Sequence, residues 1–161
     1  MKLTSYLFKT IVTIHNLNPF KRAFCELLKF VNFPNQKFYK EINFEGKFKV
    51  CFDKKKFFLY HFNDTISKHT FWNGLFETWE NDTGWIWKEL CENSNNIFDI
   101  GANTGVYSLV AKTINKQSKV FAFEPSINTF KQLQKNNKIN NYDIICEKVA
   151  LSNKSENQVF Y

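Results

Sequence analysis

The sequence predicts an α/β fold built on a parallel sheet, and three observations carry that prediction. After Asn96, short apolar runs alternate with stretches of helical period. Glycine and proline are scarce, at 5 and 3 residues, which favours long elements over an all-β sandwich with turns at short intervals. The composition, 43% hydrophobic and 23% charged over 161 residues, is globular and long enough for one domain of roughly 100–200 residues. Disordered, collagen-like and low-complexity classes are excluded on the same grounds.

Residues 1–33 read as two short helices. Leu3, Leu7, Ile11 and Ile14 share one helical face, Phe20, Phe24, Leu27, Leu28 and Val31 recur at helical spacing, and Pro19 and Pro34 punctuate the ends. The opening MKLTSYLFKTIVTI is apolar and basic, but Lys9 interrupts it and no small-x-small cleavage site follows. An amphipathic helix is therefore expected there rather than a signal peptide. Residues 40–52 alternate apolar and polar around Glu45-Gly46, a hairpin signature, and the apolar run 57–62 extends that small sheet. Lys54-Lys55-Lys56 reads as a charged turn. Residues 70–96 carry Trp72, Trp79, Trp85 and Trp87, for which packing is the expected role. Thr83 is expected to cap a helix bearing Trp85, Ile86, Leu90 and Cys91.

The second half alternates regularly. Residues 97–100 form a buried strand, 105–114 a helix, 120–123 a second strand, a helix opens at Ser126 and runs to about Lys138, and 142–146 start a third strand. Strand-helix-strand-helix-strand at this spacing means two βαβ crossovers and a parallel sheet. The chain divides on texture into an N-terminal helical and hairpin region, 1–78, and a sheet domain, 79–161.

Charge and cysteines narrow the partners. The net charge is +7, yet 21 of the 22 basic residues are lysine and only Arg22 is arginine. Arginine is the preferred side chain for bidentate phosphate and guanine contacts, so no nucleic-acid partner is expected. Cys25, Cys51, Cys91 and Cys146 make no C-x-x-C pair, and His15, His61 and His69 are scattered, so no metal site is expected. Reduced thiols in a cytoplasmic protein fit that usage. No apolar run reaches the 18 or so residues of a transmembrane segment, and nothing in the sequence sets an oligomeric state.

The string FDIGANTG, residues 98–105, lies between the first strand of the alternation and its helix. Gly101 and Gly105 permit a sharp turn and a close ligand approach beside the helix N-terminus. The dinucleotide pattern G-x-G-x-x-G is not met, because Asn103 stands where that pattern has glycine. Glu124 ends the second strand, where a carboxylate accepts bonds from both hydroxyls of an adenosine ribose. Loop and acid together point to an adenosine cofactor.

These residues carry a family resemblance. FDIGANTGVYSLVA, then VFAFEPSINTFKQLQKNNKIN, then VALS resembles the FkbM-family methyltransferases, class I enzymes that use S-adenosylmethionine (SAM), over residues 79–161. The resemblance implies a Rossmann-like sheet, incomplete here with about three to four strands. It places Asp99, Gly101, Ala102, Asn103 and Gly105 on the methionyl and ribose side of SAM, Glu124 on the ribose hydroxyls with Pro125 completing the FEP turn, and Ala150 and Leu151 near the adenine. Glu80, in an aromatic-Glu pair with Trp79 ahead of Asp99, would fold back over the cofactor. The implied acceptor is a hydroxyl of a saccharide or small natural product. The family's K-x-D-x-E-G strand is missing and the chain ends at Gln158-Val159-Phe160-Tyr161, so an N-terminal fragment is expected. No N-P-P-Y or D-P-P-Y tetrapeptide supports methylation of base amino groups. No catalytic base is assigned. An NAD(P)-dependent oxidoreductase and a non-catalytic cofactor-binding remnant are the alternatives.

Overall fold

The computed structural model describes residues 2–31, 41–77 and 80–154. Two helices open the chain, α1 (Lys2–Leu17) and α2 (Lys21–Phe30). α1 does not bury the face expected of it. Leu7 and Ile14 stay about half exposed, while Ile11 and His15, one turn apart, face inward. The cause is polar: His15 Nε2 lies 2.8 Å from the Asn43 carbonyl oxygen and 3.1 Å from its backbone nitrogen, and that contact sets the rotation of the helix. α2 buries Cys25 and Leu28.

The hairpin is β1 (Gly46–Phe52) with β2 (Lys55–His61), antiparallel, with Phe48 opposite Leu59 and Val50 opposite Phe57. Its turn is Asp53-Lys54, not Glu45-Gly46. Both turn residues have positive φ, 43° and 63°, the pair of left-handed conformations that a two-residue turn demands. The alternation runs unbroken from Phe48 to Phe52, so 46–52 is one strand and the run 57–62 is mostly its partner rather than a third strand.

α3 (Thr65–Asn73) is capped by Asp64, whose Oδ1 accepts the Ser67 N–H at 2.9 Å. α4 (Asn81–Glu92) starts before Thr83, because the Gly84 N–H already donates to the Glu80 carbonyl at 2.8 Å and Glu80, at φ 54°, is the residue at its N-cap. Thr83 therefore lies in the first turn. Trp72 is buried and the Trp87 indole N–H donates to the Tyr107 carbonyl at 3.0 Å, so both pack; Trp85 is half exposed, and Trp79 lies outside the described residues.

Then come β3 (Asn96–Ile100), α5 (Val106–Ile114), β4 (Lys119–Phe123), α6 (Ile127–Ile139) and β5 (Ile145–Glu147). The three strands are parallel in the order β3-β4-β5, which gives the α/β fold with a parallel sheet. The third strand is shorter and later than 142–146, because Asn137 takes the Ile144 carbonyl with its side-chain amide at 2.9 Å and holds the approach outside the ladder. One sheet face, with Ile97, Asp99, Val120 and Ala122, is buried. On the other, Phe98 and Phe121 stack at 5.1 Å, and Phe98 and Ile100 remain 55% and 65% exposed.

The hairpin packs on α5 and α6. Asn136, fully buried, joins them: its Oδ1 accepts the Tyr60 N–H at 2.9 Å and its Nδ2 donates to the Thr104 carbonyl at 2.8 Å. A side chain of α6 thus ties the N-terminal hairpin to the loop that follows β3.

Candidate functional site

The loop between β3 and α5 is held by hydrogen bonds from its own amides. Gly101 and Ala102 both donate to the Phe123 carbonyl at 2.9 Å, and Asn103 donates to Glu124 Oε2 at 3.0 Å. Three residues of the loop are left-handed, with φ 80° at Gly101, 51° at Asn103 and 88° at Gly105. Asparagine tolerates that conformation better than other side chains, which explains its place between two glycines. A Cβ on Gly105 would lie 2.4 Å from Leu133 Cδ1, whereas one on Gly101 would meet nothing within 4 Å. Gly105 is thus required for packing against α6, while Gly101 leaves open space. The expectation that loop amides approach a ligand is corrected in part: those of Gly101, Ala102 and Asn103 fasten the loop to β4.

Two carboxylates flank this loop. Glu124, at the end of β4, is buried, with Oε2 taking the Asn103 N–H and Oε1 the Ser126 N–H at 2.8 Å. Each carboxylate oxygen has about two lone-pair sites, so one site on each oxygen is left over. No ammonium or guanidinium pairs with it among the described residues. Pro125 follows in the chain between Glu124 and Ser126, with no N–H to continue the strand ladder. Asp99, in β3, is buried and accepts the Ser108 hydroxyl at 2.5 Å. Burial holds its pKa above the ordinary aspartate value, the Ser108 bonds pull it back, and the charge on Glu124 adds to the rise.

Glu80 reaches the same end of the sheet. Its Oε2 accepts the hydroxyl of Tyr107, in the first turn of α5 and two residues past Gly105. Burial, then the bond to Glu80 and its charge, raise the Tyr107 phenol, so its proton stays in that bond at neutral pH. Asp99, Gly101, Ala102, Asn103, Gly105 and Glu124 come together, with Glu80 beside them through Tyr107. Ala150 and Leu151 lie in exposed chain after β5, and no hydrogen bond joins them to the loop among the described residues. Tyr107, Ser108 and Asn136 were not singled out from the sequence. Ser108 carried a signal, as a hydroxyl among apolar neighbours in the first turn of α5 just past the glycine loop, but Asn136 had none, because its partners are 32 and 76 residues away.

An open cavity of about 860 Å³ lies elsewhere, beside the C-terminal ends of α5 and α6, lined by Lys49, Lys55, Lys56, Lys116 and Tyr142 among others. It is at the wrong end for a cofactor, since ligands of open parallel sheets bind beyond the carboxyl ends of the strands.

No family model matches the chain, and no curated protein matches it. Among solved structures the chain is similar to the SAM-dependent methyltransferase from Agrobacterium tumefaciens, at 15% identity and a TM-score of 0.44. The match covers 63% of this chain and 32% of that one. A likeness that distant concerns the fold alone and assigns no residue a role.

Proposed function

We propose that this chain binds SAM at the β3–α5 loop and is a methyltransferase of the FkbM type, acting on a hydroxyl of a saccharide or small natural product. The observation that carries the reading is Glu124: a buried carboxylate whose two oxygens each accept one backbone N–H, with one acceptor site on each left for a hydroxyl. A ribose offers two neighbouring hydroxyls, which matches that pair. The open space at Gly101 lets a ligand lie against the loop backbone, and Asp99, held in place by Ser108, offers a second polar wall.

Bound SAM supplies an activated methyl group. The chain's own contribution is orientation: Glu124 fixes the ribose end, the loop fixes the distance to the sheet, and Glu80, held by Tyr107, closes the side nearest α4. His61 has no part in removing the acceptor proton, because it is sealed among Phe44, Phe48 and Phe71.

Calorimetric titration of the 161-residue chain with SAM, its demethylated product and NAD tests the reading. Binding of SAM and its product without NAD is expected, with Glu124→Gln weakening SAM by roughly tenfold or more through loss of a charge-assisted bond. NAD binding without SAM would favour the oxidoreductase. No stabilisation by SAM or its product in a melt would leave a non-catalytic remnant.

A further inference from the structure

The N-terminal helix pair presents an apolar surface that the core does not use. On α2, Cys25 and Leu28 are buried, while Leu27 and Phe30, with Phe20 and Val31 at the helix caps, are exposed. The helix is therefore apolar on two faces. On α1, Leu7, Ile14 and Leu17 lie along one outward arc next to the inward row of Ile11 and His15. The largest exposures sit at the helix ends and the bend: Leu17 at 80%, Phe20 at 74% and Phe30 at 87%. Isolated exposed leucines are ordinary, but a contiguous set rimmed by polar residues marks an interaction surface.

Charge selects the partner. Residues 1–31 hold Lys2, Lys9, Lys21, Arg22 and Lys29 against a single acid, Glu26, so more than half of the chain's net +7 lies in its first fifth. Lys9, Lys21 and Arg22 are exposed, and among the described residues Arg22 alone of the three is ion-paired, to Glu26 at 3.6 Å. A second copy of this chain would bring like charges together on the shared face. A bilayer with anionic headgroups meets both features at once, taking the leucines and phenylalanines at the acyl boundary and the ammonium groups at the phosphates. α1 and α2, at 16 and 10 residues, are too short to span, and among the described residues no helix is long and apolar enough to cross a membrane. Helices of that length with an exposed apolar face lie in the interface plane rather than across the bilayer.

We propose that α1 and α2 dock this protein on an anionic lipid surface through Leu7, Ile14, Leu17, Phe20, Leu27 and Phe30, with Lys9, Lys21 and Arg22 at the headgroups. This does not depend on the function proposed above, since neither helix contributes a residue to the β3–α5 loop.

Vesicle flotation of the full chain decides it, with phosphatidylcholine vesicles compared against phosphatidylcholine containing phosphatidylglycerol. The chain floats with the anionic vesicles, and binding falls as salt rises because the headgroup attraction is screened. The triple variant Leu17→Ser, Phe20→Ser, Phe30→Ser loses at least about tenfold in partition coefficient, with its melting curve unchanged because all three side chains are exposed. Phe30→Trp gives a blue-shifted emission with anionic vesicles, which reads insertion without removing an apolar group. Flotation undiminished in the triple variant, no flotation at all, or equal binding to pure phosphatidylcholine overturns the proposal. So does a lipid-free dimer in light scattering that the triple variant abolishes, which would make the face a contact between copies.

Discussion

In the loop region Asp99, Glu124 and Asn136 are buried and each is hydrogen-bonded to a named partner, whereas α1 and α2 turn leucines and phenylalanines outward and leave His15 Nδ1 buried without a bond. The two regions obey the same rules with opposite results. Around the loop, every buried polar group restricts the backbone to one arrangement, because breaking any bond exposes the full desolvation cost of its partner. Among the described side chains of the helix pair, few are committed to the core, and the remaining apolar surface faces outward. Under the two proposals, the loop that would hold a ligand in one geometry is built the first way, and the helix surface that would meet a broad partner is built the second.

The contrast can be broken first at Gly105. Gly105→Ala combines a left-handed φ of 88° with a methyl 2.4 Å from Leu133 Cδ1. Strain of roughly 1–2 kcal/mol plus overpacking of roughly 1–3 kcal/mol is expected to lower stability by about 3 kcal/mol, read by urea unfolding. A loss under about 1 kcal/mol would show that α6 can shift away from the loop.

Acid sharpens the comparison next. His61 is fully buried, its Nδ1 accepts the Asn63 N–H at 3.0 Å, and burial pushes its pKa from 6.5 down to about 4, against a smaller rise from Asp64. The folded state thus binds fewer protons than the unfolded chain between those values. Stability is complete above pH 6.5 and is lost as pH falls towards 4, by on the order of 3 kcal/mol at 1.36 kcal/mol per pH unit. His15, lowered by burial, adds in the same direction, while the raised Asp99 opposes it at the acid end. His61→Phe should flatten the slope of stability against pH, and an unchanged slope would assign it to other groups.

Asn136→Ala comes third. It strips the Tyr60 N–H and the Thr104 carbonyl of their partner, for an expected loss of about 2 kcal/mol. SAM affinity should fall with it, because Thr104 belongs to the loop. A stability loss with full SAM affinity would separate the hairpin from the site. The smallest effect belongs to the helix pair: Phe20→Ser with Phe30→Ser is expected to change stability by no more than about 0.5 kcal/mol, since both rings already face solvent.

Much of the loop half was legible from the sequence, because its determinants are local. The βαβ alternation, the left-handed glycines and the strand-end Glu124 depend on neighbours within a few residues or one crossover, and the structure puts the strands and helices within a residue or two of the expected bounds apart from β5. The hairpin turn lies at Asp53-Lys54, overlapping the charged turn expected at 54–56 rather than standing at Glu45-Gly46; it lacks the usual Asn-Gly or Asp-Gly signal, although its backbone has the same handedness. α4 begins ahead of the cap expected at Thr83, because Glu80 occupies a left-handed cap that carries no side-chain bond and leaves no sequence signal.

What the sequence by itself determined is the α/β alternation, the loop and the acid at the end of β4: period, chirality and conformational freedom are properties of short segments. Only the tertiary structure decided which face of α1 turns inward, that Asn136 fastens the hairpin to the loop, and that Glu80 reaches Tyr107. Those depend on partners 27 to 76 residues distant, and a buried polar atom must take whichever partner the packed chain brings within bonding distance.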